Sequence, residues 1–550
     1  MSKPEPPPSV SPFSIPIFRM VWIASLISNF GGLIQSVGAS WLMTSLTRDP
    51  ALVALVQAST TLPIMLLSLL AGAIADNMEQ RAVMLWAQSF MLTVSAALSI
   101  FAWQGMLSPW LLLGFTFLIG VGTALNNPAW QASVGEMVPR ATLPAAVALN
   151  SMGFNVARSL GPALGGLIVA AAGAAAAFLA NAISYLGLIG VLLRWSPAKR
   201  ESSLPRESIG VAMEAGIRYA AMSPHLQVVI VRSALFGLGG IGLQALLPLV
   251  ARDHVRGGAL TYGLLLGAFG VGAVLGGLSS GRLRGRLSNE GVATSGMLAM
   301  AAGTLMTGLS HLLPLTIIAL MLCGAGWLLT LSTFNVTVQM ASPRWVVGRA
   351  LSLYQMAAFG GMALGSWLSG ELADRYGVGP ALEIASLFQL LVTLLATRMP
   401  LPQVEALNLD PLSRWTEPDI AVSIKPRSGP IVITIEYRID NPDIPAFLTE
   451  MAERRRIRIR DGARHWTLLR DLEDEALWLE RYHVATWVDY VRHNQRRTHA
   501  DAANTERLLA LHKGPRPLNV RRMIERQTGA LGTPVSGQIG DPLTDPTRSS

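Results

Sequence analysis

Nine amide side chains and one guanidinium stand inside stretches that are otherwise apolar, and their spacing groups them. Asn127 and Gln131 are four residues apart, as are Asn335 and Gln339. Ser151, Asn155, Arg158 and Pro162 step by four, three and four, so in a helix they share one face. Asn29, Gln35, Gln244 and Gln355 complete the set. The chemistry on offer is reversible recognition. Amides donate and accept hydrogen bonds without the desolvation cost of a charge. Arg158 would anchor a carboxylate, phenolate or catecholate. Each assignment has a rival: hydrogen bonding between helices for the amides, and pairing with a carboxylate or a carbonyl near a helix end for Arg158. No Walker-type phosphate loop and no Cys/His cluster with metal spacing is present, so neither a cofactor nor a metal is expected. The single cysteine, Cys323, lies in an apolar run and reads as a small packing residue.

The elements that must carry these residues are membrane helices. Hydrophobic residues make up 51% of the 550 and charged ones only 14%, about half the charged share of soluble chains, roughly 25%. Spans need about 20 apolar residues. On that criterion twelve segments appear, near 20–45, 50–74, 82–103, 108–134, 142–171, 175–194, 226–250, 262–283, 292–310, 314–338, 347–370 and 379–398. A longer polar connection, 195–225, divides them into two six-helix bundles, 20–194 and 226–400. The halves echo each other: Val138-Pro139-Arg140 in the first is matched by Ser342-Pro343-Arg344 in the second. Such pseudo-repeats place a solute site between the halves, near the midplane. With the N-terminal tail (1–19) inside, the cytoplasmic face receives Arg19, Arg81, Arg140, Arg194 and the cluster Arg282, Arg284 and Arg286, among others. The outer face receives only Arg48, Arg252, Arg256 and Arg375. That bias predicts an inner (plasma) membrane protein with both termini cytoplasmic. The net charge of +9 is therefore read as topogenic, with membrane lipid and not nucleic acid as the partner. Trp22, Trp41, Trp103, Trp110, Trp130, Trp327 and Trp367 read as an interfacial belt.

Several motifs carry a family resemblance. Gly161-Pro162-x-x-Gly165-Gly166 resembles the helix-5 motif of drug exporters of the major facilitator superfamily. Asn127-Pro128-Ala129-Trp130-Gln131, Asn150-Ser151, Asn155-x-x-Arg158 and Asn181-x-x-Ser184-Tyr185 resemble its enterobactin-exporter-like, transmembrane secretion effector branch. The loop from Gly72 to Arg81 is similar to the superfamily's helix 2–3 loop through Gly72, Asp76 and Arg81, but Asn77 and Glu79 depart from it. Arg286 is the second-half counterpart, where Gly281 stands in place of the acid. The resemblance covers roughly 15–400. It implies a secondary transporter exporting an amphipathic small molecule, siderophore- or drug-like, by alternating access with proton antiport. Asp76 and Arg81 would latch the cytoplasmic side. The superfamily's helix-4 arginine is absent, with Thr116 in its place.

After a Pro-containing linker (401–425), charge density rises and the period changes. Ile431 to Tyr437 alternates as a strand, Pro442 to Ile459 reads as a helix, 466–472 and 476–482 as strands, 485–496 and 500–511 as helices, and 519–524 as a last strand. The order resembles the ferredoxin-like fold of antibiotic-biosynthesis monooxygenase relatives, which implies a cytoplasmic accessory domain (426–527) that pairs as a homodimer. The expected architecture is thus an all-α polytopic membrane protein with a C-terminal α+β domain and a disordered tail (528–550). The competing function is a membrane-anchored monooxygenase-like enzyme or a cargo sensor acting through that domain. His465, His483, His493, His499 and His512 show neither a nucleophile partner nor metal spacing, so no catalytic residue is assigned.

Overall fold

The computed structural model describes residues 11–139, 142–196, 209–343, 345–402, 409, 412, 418 and 420–525. Most of the linker, part of the 195–225 connection, the start of the 1–19 tail and the 528–550 tail lie outside the described residues. The chain forms two compact units. One comprises Met1–Glu214, His225–Gln339 and Val347–Gln403; the other comprises Ala215–Pro224, Met340–Val346 and Val404–Ser550.

Helices of the first unit begin where the sequence supplies a start. Proline opens α1 (Pro16–Leu46), α2 (Pro50–Asn77) and α4 (Pro109–Met137), where its missing N–H costs nothing. Asp49 Oδ1 accepts from Ala51 N at 2.8 Å and Ser108 Oγ from Leu111 N at 3.2 Å, capping two of these starts. The bundle continues with α3 (Gln80–Trp103), α5 (Leu143–Arg194), α7 (Pro224–Leu249), α8 (Ala259–Arg284), α9 (Asn289–Leu309), α10 (Leu313–Met340), α11 (Val347–Tyr376) and α12 (Val378–Ala396). Ten of the helical stretches are long and apolar enough to cross a membrane. One of the ten is α5, whose 52 residues would reach about 78 Å if straight, against a hydrocarbon core of about 30 Å. It breaks at Gly173 (φ 80°, ψ 173°), a conformation open to glycine. Its two arms, 143–172 and 174–194, are two spans. With α11, the least apolar helix of the bundle, the expected twelve are reached.

Apolar burial drives helices together poorly in lipid, so close backbone approach must do more. Glycines provide it. A Cβ at Gly324 would lie 1.8 Å from Phe269 O, and one at Gly272 1.9 Å from Met321 O, locking α8 to α10. Gly361 and Gly365 bring α11 equally close to Ala234 and Leu238 of α7. Within the first half α1 packs on α5, α2 on α4, and α3 on α4 and α5; within the second, α9 packs on α12. Two seams join the halves, α2 against α11 and α5 against α8.

The second unit carries an antiparallel four-stranded sheet of order β2-β3-β1-β4: β1 (Ile431–Arg438), β2 (Arg464–Arg470), β3 (Leu477–Val484) and β4 (Val520–Ile524). Ile433 faces Tyr482 on one side and Arg522 on the other. Three helices, α13 (Ile444–Arg460), α14 (Trp487–Gln495) and α15 (His499–Leu511), complete the unit. Ile431, Ile433, Ile435 and Tyr437 supply the buried face of β1 and meet Phe447 and Met451 of α13, as strand alternation requires. This is the expected ferredoxin-like arrangement.

The 195–225 connection is more than a loop. It contains α6 (Ile209–Ala221), with Ala215 and Tyr219 buried on one face. Tyr219 meets Trp345 edge-on at 5.5 Å, the Arg460 guanidinium lies over Tyr219 at 5.2 Å, and that of Arg496 lies over Trp345 at 4.0 Å. Both connectors are therefore part of the second unit's packing.

Candidate functional site at the seam between the helical halves

The first arm of α5 lies between α1 and α8, and its Gly-Pro motif explains how. A Cβ at Gly161 would press on Leu33, and one at Gly165 on Ile34 and Val37, all on α1. Gly166 faces the other way: its Cβ would lie 2.7 Å from Ala259 O and 2.8 Å from Gly263 Cα on α8. The Pro162 carbonyl approaches the same Gly263. One helix thus makes backbone-close contact with its own half and with the opposite one.

One turn earlier stands Arg158. Its guanidinium lies over the Phe269 ring of α8 at 5.5 Å, and Ser159 Cα would be 2.5 Å from a Cβ at Gly270. Among the described residues Arg158 makes no ion pair. A cation at such a position is costly unless an anion or water meets it, and the aromatic face offsets only about 0.5–2 kcal/mol.

The other expected residues divide. Asn29, Asn127 and Gln131 are exposed side chains on α1 and α4. Gln339 donates its amide to Asn335 Oδ1. Gln355 is half-buried on α11; Gln244 is half-buried on α7, its Nε2 without a hydrogen-bond partner among the described residues. The side chains of Asn155 and Asp76 lie outside the described residues. Gln35 is taken up in packing: its Oε1 accepts from Asn181 Nδ2 at 2.6 Å and Ser95 Oγ at 2.8 Å, and Asn181 also reaches Tyr185 Oη at 3.0 Å. That buried network ties α1 and α3 to the second arm of α5. Arg81 donates to Leu192 O at 2.9 Å and Leu193 O at 3.1 Å, satisfying the end of that arm. Gly72 comes close to Ser352 Oγ on α11, while Arg286 is exposed. Thr116, in the place of the missing arginine, shares a 2.6 Å hydrogen bond with Ser59 Oγ of α2.

Sequence reading missed three groups. Arg232, 2% exposed, is clamped by both oxygens of Glu290 at 2.6 and 2.9 Å and by Met399 O at 3.2 Å. Gln389 of α12 is 1% exposed with both amide atoms unpartnered among the described residues, against Gly239 and Gly240 of α7. Trp327 leaves the expected interfacial belt: it is buried between Phe236 and Phe269. At the other end, Arg252 donates to Thr44 O at 2.9 Å, and Trp41 stacks on Tyr262 at 6.2 Å.

A sequence profile described as "Transmembrane secretion effector" matches residues 8–528. The "Staphyloferrin A transporter" of Staphylococcus aureus is 24% identical over 375 residues, 68% of this chain and 93% of its own. The "Multidrug efflux pump Tap" of Mycolicibacterium fortuitum is 25% identical over 69% and 95%. The "Enterobactin exporter EntS" of Shigella boydii is 27% identical over 71% and 95%. Among solved structures, a bacterial homologue of the lysosomal transporter Spinster superposes with a TM-score of 0.56 at 14% identity, over 70% of this chain and 96% of that one. Those relatives match about two thirds of this chain, and the profile continues through the sheet domain. The chain therefore belongs to the transmembrane secretion effector family of major facilitator transporters, and it is a multi-pass membrane transporter.

Proposed function

We propose that the chain exports an amphipathic small molecule with an anionic or strongly hydrogen-bonding head, of the siderophore or drug kind, by alternating access of its two helical halves. One observation carries the reading. Arg158 stands on the α5–α8 seam with no ion pair among the described residues, one turn from glycines that touch both halves. A solute anion meeting Arg158 would bear directly on the contact that must change as the halves rock. Asn155 and, across the seam, the Asn335–Gln339 pair would serve the neutral part of the cargo. The distribution of Lys and Arg favours cytoplasmic termini, so the sheet domain is assigned to the cytoplasm. Proton antiport is taken from the family, and Asp76 with Arg81 and Gly72 is assigned to the cytoplasmic gate.

The test is efflux from cells expressing the protein, with a catecholate siderophore and a fluorescent lipophilic cation as probes, with and without a protonophore. Catecholate efflux that collapses with the protonophore and in Arg158→Ala is the expected result. Equal retention of both compounds with and without the protein would refute the export of either class.

A further inference from the structure

Between α13 and α15 of the sheet domain lies a cavity of about 380 Å³, within the range of small-molecule sites. Arg454, Arg458 and Arg497 line it. Arg454 and Arg458 are 4% and 1% exposed, and they share one buried carboxylate, Glu480. Arg458 Nε donates to Glu480 Oε1 at 3.0 Å, and Arg454 Nε stands 3.6 Å from Oε2. Glu480 also accepts from Trp466 Nε1 at 3.1 Å and Tyr437 Oη at 3.0 Å, so its oxygens are fully used.

Arg454 Nη1 donates to Thr505 Oγ1 at 2.9 Å, but two other donors are left over. Arg454 Nε and Arg458 Nη2 are buried without a hydrogen-bond partner among the described residues. His493, 3.0 Å from Arg458 Nη1, is kept neutral by burial and by Arg458 and Arg497, so it adds no counter-charge. Asp461 and Asp501 also line the cavity, but both are bound to Arg460, at 2.9 and 2.8 Å. Burial, then Arg458 and Arg454, lower the Arg497 pKa to about 10: the guanidinium lacks a sufficient anion. Buried guanidinium groups in excess of their carboxylates are costly, and an incoming oxyanion would relieve that cost with charge-assisted hydrogen bonds. Leu412, Ile457, Ala502, Ala503 and Leu509 give the cavity an apolar wall, and His499, Thr505 and Glu506, which is exposed, complete the lining.

We propose that this cavity binds a small organic anion, a carboxylate on a compact apolar body, with Arg497 meeting the carboxylate and Arg454 and Arg458 completing its cradle. The site is separate from the transport seam and does not rest on the export reading.

The test uses the full-length protein in detergent and titration calorimetry, with benzoate as the anion and benzamide as its neutral match in shape. Saturable benzoate binding, at least tenfold tighter than benzamide, is expected. Arg497→Gln should weaken benzoate at least tenfold, and Ala502→Phe should abolish it by filling the cavity, whereas Arg158→Ala should retain it. Absence of benzoate binding, equal affinity for the two probes, or binding that survives both sheet-domain variants would overturn the proposal. Loss in Arg158→Ala alone would assign the anion to the membrane unit and equally overturn it. Should Arg497→Gln fail to fold, Ala502→Phe still decides, because it leaves every charge in place.

Discussion

The helical unit and the sheet unit solve the problem of burial in opposite ways. In the bundle, cations are few and the helices are held by absent side chains: Gly324 against Phe269 O, Gly272 against Met321 O, Gly166 against Gly263. In the sheet unit the centre is crowded with charge, four arginines and three buried carboxylates within one helix-lined corner. The difference teaches where each unit is brittle. Glycine contacts fail through volume, because a methyl has nowhere to go. An ion cluster fails through imbalance, because removing one partner strands the others.

The largest effect should therefore come from Glu480→Ala. It leaves Arg454 and Arg458 buried without their carboxylate, at a cost of about 3–5 kcal/mol. Loss of the sheet unit's cooperative unfolding transition is the readout; a transition unchanged in position would break the comparison. Second is Gly263→Val, whose Cβ would stand 2.7 Å from Gly166 Cα and should cost about 1–3 kcal/mol. Reduced thermal stability of the purified protein, together with lost efflux, is expected. A gain in efflux would mean that the α5–α8 contact holds the transporter in a resting state.

Acid should separate the units next. Burial, then Arg458 and Arg497, keep His493 well below its ordinary value of 6.5. Because the folded pKa is depressed, the unfolded chain takes up the proton first. The stability this group contributes is thus full above pH 6.5 and falls as the pH drops below it. Glu480 acts in the same direction at lower pH: burial opposes its charge, Arg458 and Arg454 outweigh burial, and its pKa is held at about 2. Its contribution is lost below about 4.5. Asp461, raised mainly by burial against the pull of Arg460, works with the opposite sign. The comparison is therefore His493→Gln against the parent: a flatter stability profile between pH 4.5 and 6.5 in the variant, measured by denaturant unfolding. The smallest effect belongs to the surface pair Arg375–Glu371, 65% and 37% exposed. Arg375→Ala should change stability by less than about 0.5 kcal/mol.

What the chain makes legible follows the same division. The α5 motif could be read because glycine and proline spacing is local, and its role at a two-sided contact follows from which faces those glycines occupy. The strands of the sheet unit were legible from their period of two. Long-range pairing was not. Arg232 and Glu290 lie on different helices, 58 residues apart, and nothing in either neighbourhood signals the other. Gln35 looked like a solute contact because its partners, Ser95 and Asn181, come from two further helices. Gln389 does not stand out in a helix that also carries Glu383, Ser386 and Thr393, because nothing local marks it as buried. α6 does not show within the polar connection 195–225 because part of the surface its apolar face covers is supplied by Trp345 and Arg460, far along the chain.

That last arrangement bears on how the protein can be shortened and how it can flex. The curated relatives match only about two thirds of this chain, which invites a cut near residue 403. Such a cut would strip Arg460 from Tyr219 and Arg496 from Trp345, and leave both rings without their cations. In the intact chain the same two rings act as a staple: the connector before α7 and the connector after α10 are fastened to one folded body. Residues 219 and 345 are thereby held at a fixed spacing, and any motion that separates them must first unstack the rings.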